Sequence, residues 1–233
     1  MAKILLIETS TALCSAAIAQ DGKVICSRES TAPRAHAAMT APYVKQMLDE
    51  CAMTASDLDA VCVSSGPGSY TGLRVGSSTA KGLCFGASRP LIAVPTPDVL
   101  VAQARMLDCI PKDCAHIVPM IDARRMEVYT AVYSLQDGQW KRESEIRPEI
   151  VAEGSFADLL EQGPVLFIGD GVQKCAGVLA RPDAQFVQTN PCAQAMAAPA
   201  EQAWLEGRFE DAAYFEPFYL KEFVATVSRK KLF

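Results

Sequence analysis

Two stretches of this chain spell the same order of elements, and that repetition limits the fold more than any single motif. At the start, an apolar run over residues 3–9 (KILLIET) carries Glu8 near its end. An alternating run follows from Cys14 to Gln20, and Asp21-Gly22 marks a hairpin turn into Lys23 to Glu29. In the second half, residues 117–123 (IVPMIDA) reach Asp122, and an alternating segment spans Met126 to Gln136. Asp137-Gly138 then turns into Trp140 to Glu145. The two carboxylate-to-turn spacings agree within two residues. An order of elements recurs by chance less readily than a short match does.

Helical and strand patterns alternate behind each opening. In the first half they predict a helix His36–Cys51, a strand Ala60–Val63, a helix Tyr70–Phe85, a strand Leu91–Val94 and a helix Asp98–Leu107. In the second they predict helix Ser155–Gln162, strand Val165–Ile168, helix Val172–Ala180, strand Gln185–Gln188 and helix Cys192–Glu206. The irregular stretch Asp108 to Ala115 reads as a boundary between an α/β domain over residues 1–107 and another over 108–233. The aromatic tail from Tyr214 (FEPFYLKE, then a short return segment) is free to pack back on the first.

The helix predicted from Tyr70 is poorly chosen for its own stability. Gly72, Gly76 and Gly82 lie inside it, at roughly 0.5–1 kcal/mol each against alanine. Gly72, Gly76, Thr79, Ala80 and Leu83 recur at helical spacing and leave one face nearly flat. Periodicity leaves two readings, tight packing on the chain's own sheet or a helix built to meet a partner protein. On the second, Gly76→Leu leaves the monomer folded and abolishes partner binding.

Neither nucleotide-loop motif is present in this region. A dinucleotide fingerprint needs a glycine where Thr71 stands, and a P-loop needs Gly-Lys-Ser/Thr where the chain has Ala80-Lys81-Gly82. Glu8, Thr9 and Ser10 at a strand end have the oxygen chemistry for a hydrated Mg²⁺ and nucleotide, or form a capped, solvated turn. Gly169-Asp170-Gly171 backs a nucleotide or makes a tight strand-to-helix turn.

Composition excludes several function classes. The chain has 233 residues, half of them hydrophobic and 21% charged, as expected of a soluble globular protein. Glu8 interrupts the apolar start, so no secretory signal is read, and no apolar span of about 20 residues suits a membrane. Nine cysteines with irregular spacing and no Cys-x-x-Cys point to reduced thiols in the cytoplasm. The only histidines, His36 and His116, are far apart in the chain, which argues against a histidine-rich metal site or a Cys-His or Ser-His-Asp set. A net charge of −5 argues against strong direct nucleic-acid binding, although Arg229, Lys230 and Lys231 form a small basic cluster, solvated or facing phosphate.

Two tandem β-β-β-α-β-α-β-α units are the plan of the ribonuclease-H-like actin-like ATPase, sugar-kinase and Hsp70 fold. Four segments narrow the resemblance: IETST, SSGPGSYTGLRVGSSTAKGL, MIDARRMEVYTAVY and EPFYLKE together resemble the TsaB family, through most of the chain. The resemblance implies a cytoplasmic, non-catalytic scaffold subunit in the synthesis of threonylcarbamoyladenosine beside the anticodon of tRNA. It would work with TsaD and TsaE, reach tRNA through that complex, and form a homodimer when alone. The TsaD paralogue carries the chemistry on a metal held by a His-x-x-x-His motif after the fifth strand. Here Thr96 and Leu100 occupy those places, a poor ligand and a non-ligand. His36, Ala37, Ala41 and Val44 on the first long helix, with Gly72, Leu73, Gly76, Thr79, Ala80 and Leu83 on the second, are the expected partner interface. No cofactor of its own is expected, ATP or ADP with Mg²⁺ belonging to the partner interface. The alternatives are a stand-alone ATPase or sugar kinase of the same fold, and a metallopeptidase.

Overall fold

Leucines and isoleucines at the start of the chain form the central strand of the first sheet, β1 (Lys3–Glu8). Ile4 to Glu8 are all buried, as a strand covered on both faces requires. The structure, a computed structural model, describes residues 2–220. On one side of β1 lie β2 (Cys14–Gln20) and β3 (Lys23–Ser30), both antiparallel. Asp21 and Gly22 join them with φ of 51° and 70°, the turn that an Asp-Gly pair favours. On the other side β4 (Ala60–Gly66) and β5 (Leu91–Pro95) run parallel, in the order β3-β2-β1-β4-β5.

Helices α1 (Ala35–Glu50) and α2 (Tyr70–Ala87) cover one face of this sheet. Tyr43, Val44, Met47, Leu48, Ala80 and Cys84 pack there on Leu5, Ile7, Val61 and Val63. The opposite face, with Ile4, Leu6, Ala60 and Cys62, meets Val99 of α3 (Thr96–Met106) and residues from much later in the chain. These are the 3-10 turn Ala193–Met196 and the last helix, α6 (Ala197–Leu205).

The second unit is built around β6 (His116–Asp122). Its partners are β7 (Glu127–Thr130) and β8 (Tyr133–Gln136), antiparallel, and β11 (Val165–Gly169), parallel, with β12 (Ala184–Gln188) beyond. The strand expected over Met126–Gln136 is thus broken. At Val132 the backbone leaves β6, its N–H donating to Ser144 Oγ (2.9 Å) and its carbonyl accepting from Glu143 N–H (2.8 Å). After the Asp137-Gly138 turn, β9 (Gln139–Arg142) pairs with β8 and β10 (Arg147–Ile150) with β7. The expected helix Ser155–Gln162 is shorter, α4 (Ala157–Leu160), and α5 (Val172–Leu179) precedes β12.

The cores do not divide where the chain does. Leu100, Val101 and Ala104 of α3 pack with Ile117, Ile121, Leu166 and Ile168 of the second sheet, while α6 completes the core of the first. Each unit supplies a helix to the other. The segment after α6 also returns: Phe218 N–H donates to the Ser65 carbonyl, and Lys81 Nζ donates to the carbonyls of Ala213 and Phe215 at 3.1 and 3.0 Å. The short segment expected after it and the cluster Arg229, Lys230 and Lys231 lie outside the described residues.

Candidate functional site

The strand ends of the two units face each other across a polar seam. Glu8 ends β1 and Thr9 and Ser10 follow it, and all three are buried, at 0, 0 and 1% exposure. Ser10 N–H donates to Glu8 Oε1 at 2.5 Å, the Ser10 and Ser64 hydroxyls stand beside the carboxyl, and Thr96 Oγ1 is buried without a hydrogen-bond partner among the described residues. Burial, partly countered by bonds to Ser10, pushes the Glu8 carboxyl up to about 7. Asp170 contributes repulsion from the second unit, and burial pushes its own carboxyl up to about 6 although it accepts the Asp122 N–H at 3.0 Å.

Glu8, Thr9 and Ser10, for which the sequence leaves open a magnesium-nucleotide contact or a capped turn, lie in a buried loop in this structure. The β4–α2 turn closes the loop from outside. Ser69 N–H donates to the Ser10 carbonyl at 2.6 Å, and a side chain at Gly68 would overlap that same carbonyl. Gly169 and Gly171 are equally pinned: Gly171 N–H donates to the Met120 carbonyl at 2.9 Å, and a side chain at Gly169 would overlap that carbonyl. Gly169-Asp170-Gly171 is a tight strand-to-helix turn laid on β6.

The small-residue stripe of α2 also points inward, which overturns its use as a docking face. Thr9 Oγ1 donates to the Gly72 carbonyl at 2.8 Å, and a Cβ at Gly72 or Gly76 would collide with the Thr9 carbonyl or hydroxyl. The glycines exist because α2 passes over the end of β1 with no space for a methyl group. Gly72, Leu73, Gly76 and Ala80 are buried in the chain's own core, as is Val44 of α1. Gly76→Leu is therefore a folding lesion and not a probe of partner binding. His36, Thr79 and Leu83 are half-buried, Thr79 Oγ1 being turned back to the Val75 carbonyl. Only Ala37 and Ala41 of the expected interface stand fully in solvent.

A different face of the same two helices is open. Opposite the buried glycines, α2 presents Thr71, Arg74, Ser78, Gly82, Phe85 and Gly86, at spacings that form the complementary stripe. Phe85 is 90% exposed, and a Cβ at Gly82 or Gly86 would meet nothing within 4 Å. Beside it α1 exposes Ala37, Ala38, Ala41 and Pro42. The missed signal was Phe85, a large ring on a stripe otherwise made of small and polar residues. Among the described residues no group of three or more His, Cys, Asp or Glu could hold a metal, and Thr96 and Leu100 are both buried.

Comparison with known proteins fits this geometry. The family profile described as "TsaD: tRNA N6-adenosine threonylcarbamoyltransferase" matches residues 29–225. The tRNA threonylcarbamoyladenosine biosynthesis protein TsaB of Escherichia coli is 33% identical over 96% of both chains, and that of Bacillus subtilis is 33% identical over 71% of this chain and 70% of its own. Among solved structures, YeaZ from Pseudomonas aeruginosa superposes with a TM-score of 0.79 at 29% identity, over 94% of this chain and all of that one. A Pseudomonas aeruginosa protein described as similar to peptidase YeaZ superposes with a TM-score of 0.83 at 28% identity, over 95% of this chain and 100% of the other. With relatives of this likeness along almost its whole length, and two tandem ribonuclease-H-like sheets to match, the chain belongs to the TsaB family of tRNA threonylcarbamoyladenosine biosynthesis proteins.

Proposed function

We propose that the chain is a non-catalytic docking subunit, which lends the α1–α2 face to the TsaD-type transferase and leaves the chemistry to it. The observation that carries this reading is Phe85, 90% exposed between two glycines that nothing approaches. A bare aromatic ring beside a flat surface is the surface form of a helix-packing interface, where small residues let backbones come within about 8–10 Å. The closed loop at Glu8 to Ser10 weighs against the stand-alone ATPase or sugar kinase. In this reading a nucleotide with Mg²⁺ belongs to the junction with the transferase, TsaE and tRNA are reached through the assembled complex, and a homodimer uses the same face when the transferase is absent.

The test is co-purification with a TsaD from the same cell after substitution on the open face. Phe85→Glu and Ala41→Arg touch no core contact, so both variants fold, and both lose the transferase. Retention of normal binding by the two would refute the assignment of the face. Rapid ATP turnover by the isolated chain would refute the non-catalytic role.

A further inference from the structure

β3 is the edge strand of the first sheet, paired with β2 alone, and its ladder is interrupted where Ile25 drops out of register between Val24 and Cys26. The C-terminal end of α1 lies against it. That end is closed by its own backbone. Cys51 N–H donates to the Met47 carbonyl at 3.0 Å, Ala52 takes a φ of 51°, and Met53 N–H returns to the Leu48 carbonyl at 2.8 Å.

Two side-chain contacts cross from this turn to β3. Arg28 pairs with Glu50, and Cys51 Sγ lies 3.3 Å from Cys26 Sγ. The latter is the one thiol–thiol hydrogen bond among the described residues, which include all nine cysteines. A disulfide is about 2.05 Å long, so the two sulfurs need to close by only about 1.3 Å, within the reach of side-chain rotation. The two cysteines are 25 positions apart in the chain, so a bond between them removes much freedom from the unfolded state.

Their surroundings suit a stepwise oxidation. Cys51 is half-buried at the helix end, whereas Cys26 is buried, at 9% exposure. A reagent arriving from solvent meets Cys51 first, and Cys26 stands behind it. Burial also holds Cys26 as a thiol, its value pushed up to about 12, which makes it a slow target for solvent reagents and a strong nucleophile once a neighbour draws off its proton.

We propose that Cys26 and Cys51 form a reversible redox site, a dithiol that a low-molecular-weight disulfide such as glutathione disulfide converts to an intramolecular bridge, locking the end of α1 to β3. Cys51 sulfur attacks glutathione disulfide, and one glutathione leaves with the Cys51 proton. Cys26 sulfur then attacks Cys51 Sγ, and the second glutathione leaves with the Cys26 proton. Two thiols are oxidised to one disulfide while one glutathione disulfide is reduced to two glutathiones. The bridge and its test involve no partner protein, so they stand or fall separately from the docking role of α1.

Incubation of the full, folded chain with glutathione disulfide tests this, read by differential alkylation, peptide mapping and amide exchange. One bridge between Cys26 and Cys51 is expected, with no glutathione retained on either, and dithiothreitol should reverse it. Amide exchange over residues 47–53 should slow about tenfold or more on oxidation, and the melting temperature should rise by about 5–15 °C. Cys26→Ser, which has lost the resolving thiol, should keep glutathione on Cys51. Cys51→Ser should form no adduct at Cys26 on the same timescale. Glutathione left on Cys51 of the parent chain, a bridge between other cysteines, or oxidation that leaves exchange at the end of α1 unchanged would each overturn the proposal.

Discussion

Gly72→Ala is the substitution whose outcome the structure dictates most sharply, because two glycines of one helix predict opposite results. In α2, Gly72 faces the Thr9 carbonyl and Gly82 faces open solvent. A methyl group at Gly72 would fall well inside the 3.0 Å that real Cβ atoms keep from their neighbours. The obstacle is backbone, so α2 must retreat from β1 by on the order of 1 Å, and overpacking of that kind costs about 1–3 kcal/mol. The retreat also stretches the 2.8 Å bond from Thr9 Oγ1 to the Gly72 carbonyl, a net loss of about 1 kcal/mol. Against this, alanine returns about 0.5–1 kcal/mol of helix propensity. The balance is a loss of about 2 kcal/mol, or a fall in melting temperature of about 4–8 °C for a chain of this size. Gly82→Ala has the propensity gain without the collision and should melt about 1–4 °C above the parent. Gly76→Ala adds a second control, since its obstacle is the Thr9 hydroxyl and not a carbonyl. Thr9→Ala should therefore rescue Gly76→Ala but not Gly72→Ala. Thermal melts of the single and double variants decide the matter. Equal or greater stability of Gly72→Ala relative to Gly82→Ala would refute an inward-facing stripe.

Two other outcomes follow from buried groups. The Glu8 carboxyl is raised from 4.5 to about 7, so between those values the folded chain holds a proton that the unfolded chain has released, and stability falls as pH rises through that window. Glu8→Gln removes the titrating group and keeps an amide donor and acceptor beside the Ser10 and Ser64 hydroxyls. It should be stabilising by up to about 3 kcal/mol near pH 8 and close to neutral near pH 4 in urea titrations, and an equal effect at both would contradict the assignment. Separately, Cys51 Sγ lies 3.3 Å from Cys26 Sγ, and burial pushes the Cys26 thiol up to about 12. Diamide, which takes up two electrons and two protons, should join this pair before any other, starting at the more accessible Cys51. Peptide mapping that finds a different first disulfide would refute it.

Much of the fold was written locally. β1 is a run of buried leucine and isoleucine, Asp21-Gly22 and Asp137-Gly138 adopt positive φ where the next residues are β strand, and Ser69 caps α2 through the Gly72 N–H at 3.3 Å. Each depends on residues a few positions apart, so pattern and propensity suffice. The errors arose where a distant strand decides. The break at Val132 depends on Ser144 reaching across to it, and β10 exists because β7 has a free edge to pair. The polar seam was half legible: a carboxylate with hydroxyls at a strand end was visible, but its closure by the turn at Gly68 and Ser69 was not.

The amino-acid sequence by itself determined the two-unit α/β plan, the membership of the TsaB family and the presence of an unusually small-sided helix, α2. It left open which way that helix turns, because a glycine leaves no side chain to declare a direction and suits a close approach from either side. Tertiary structure decided it: the end of β1 occupies the place that Gly72 and Gly76 leave free, and the same rotation sends Phe85 into solvent. It also decided that α3 and α6 serve each other's units, since the core that an apolar face joins is set by sheet geometry and not by order along the chain.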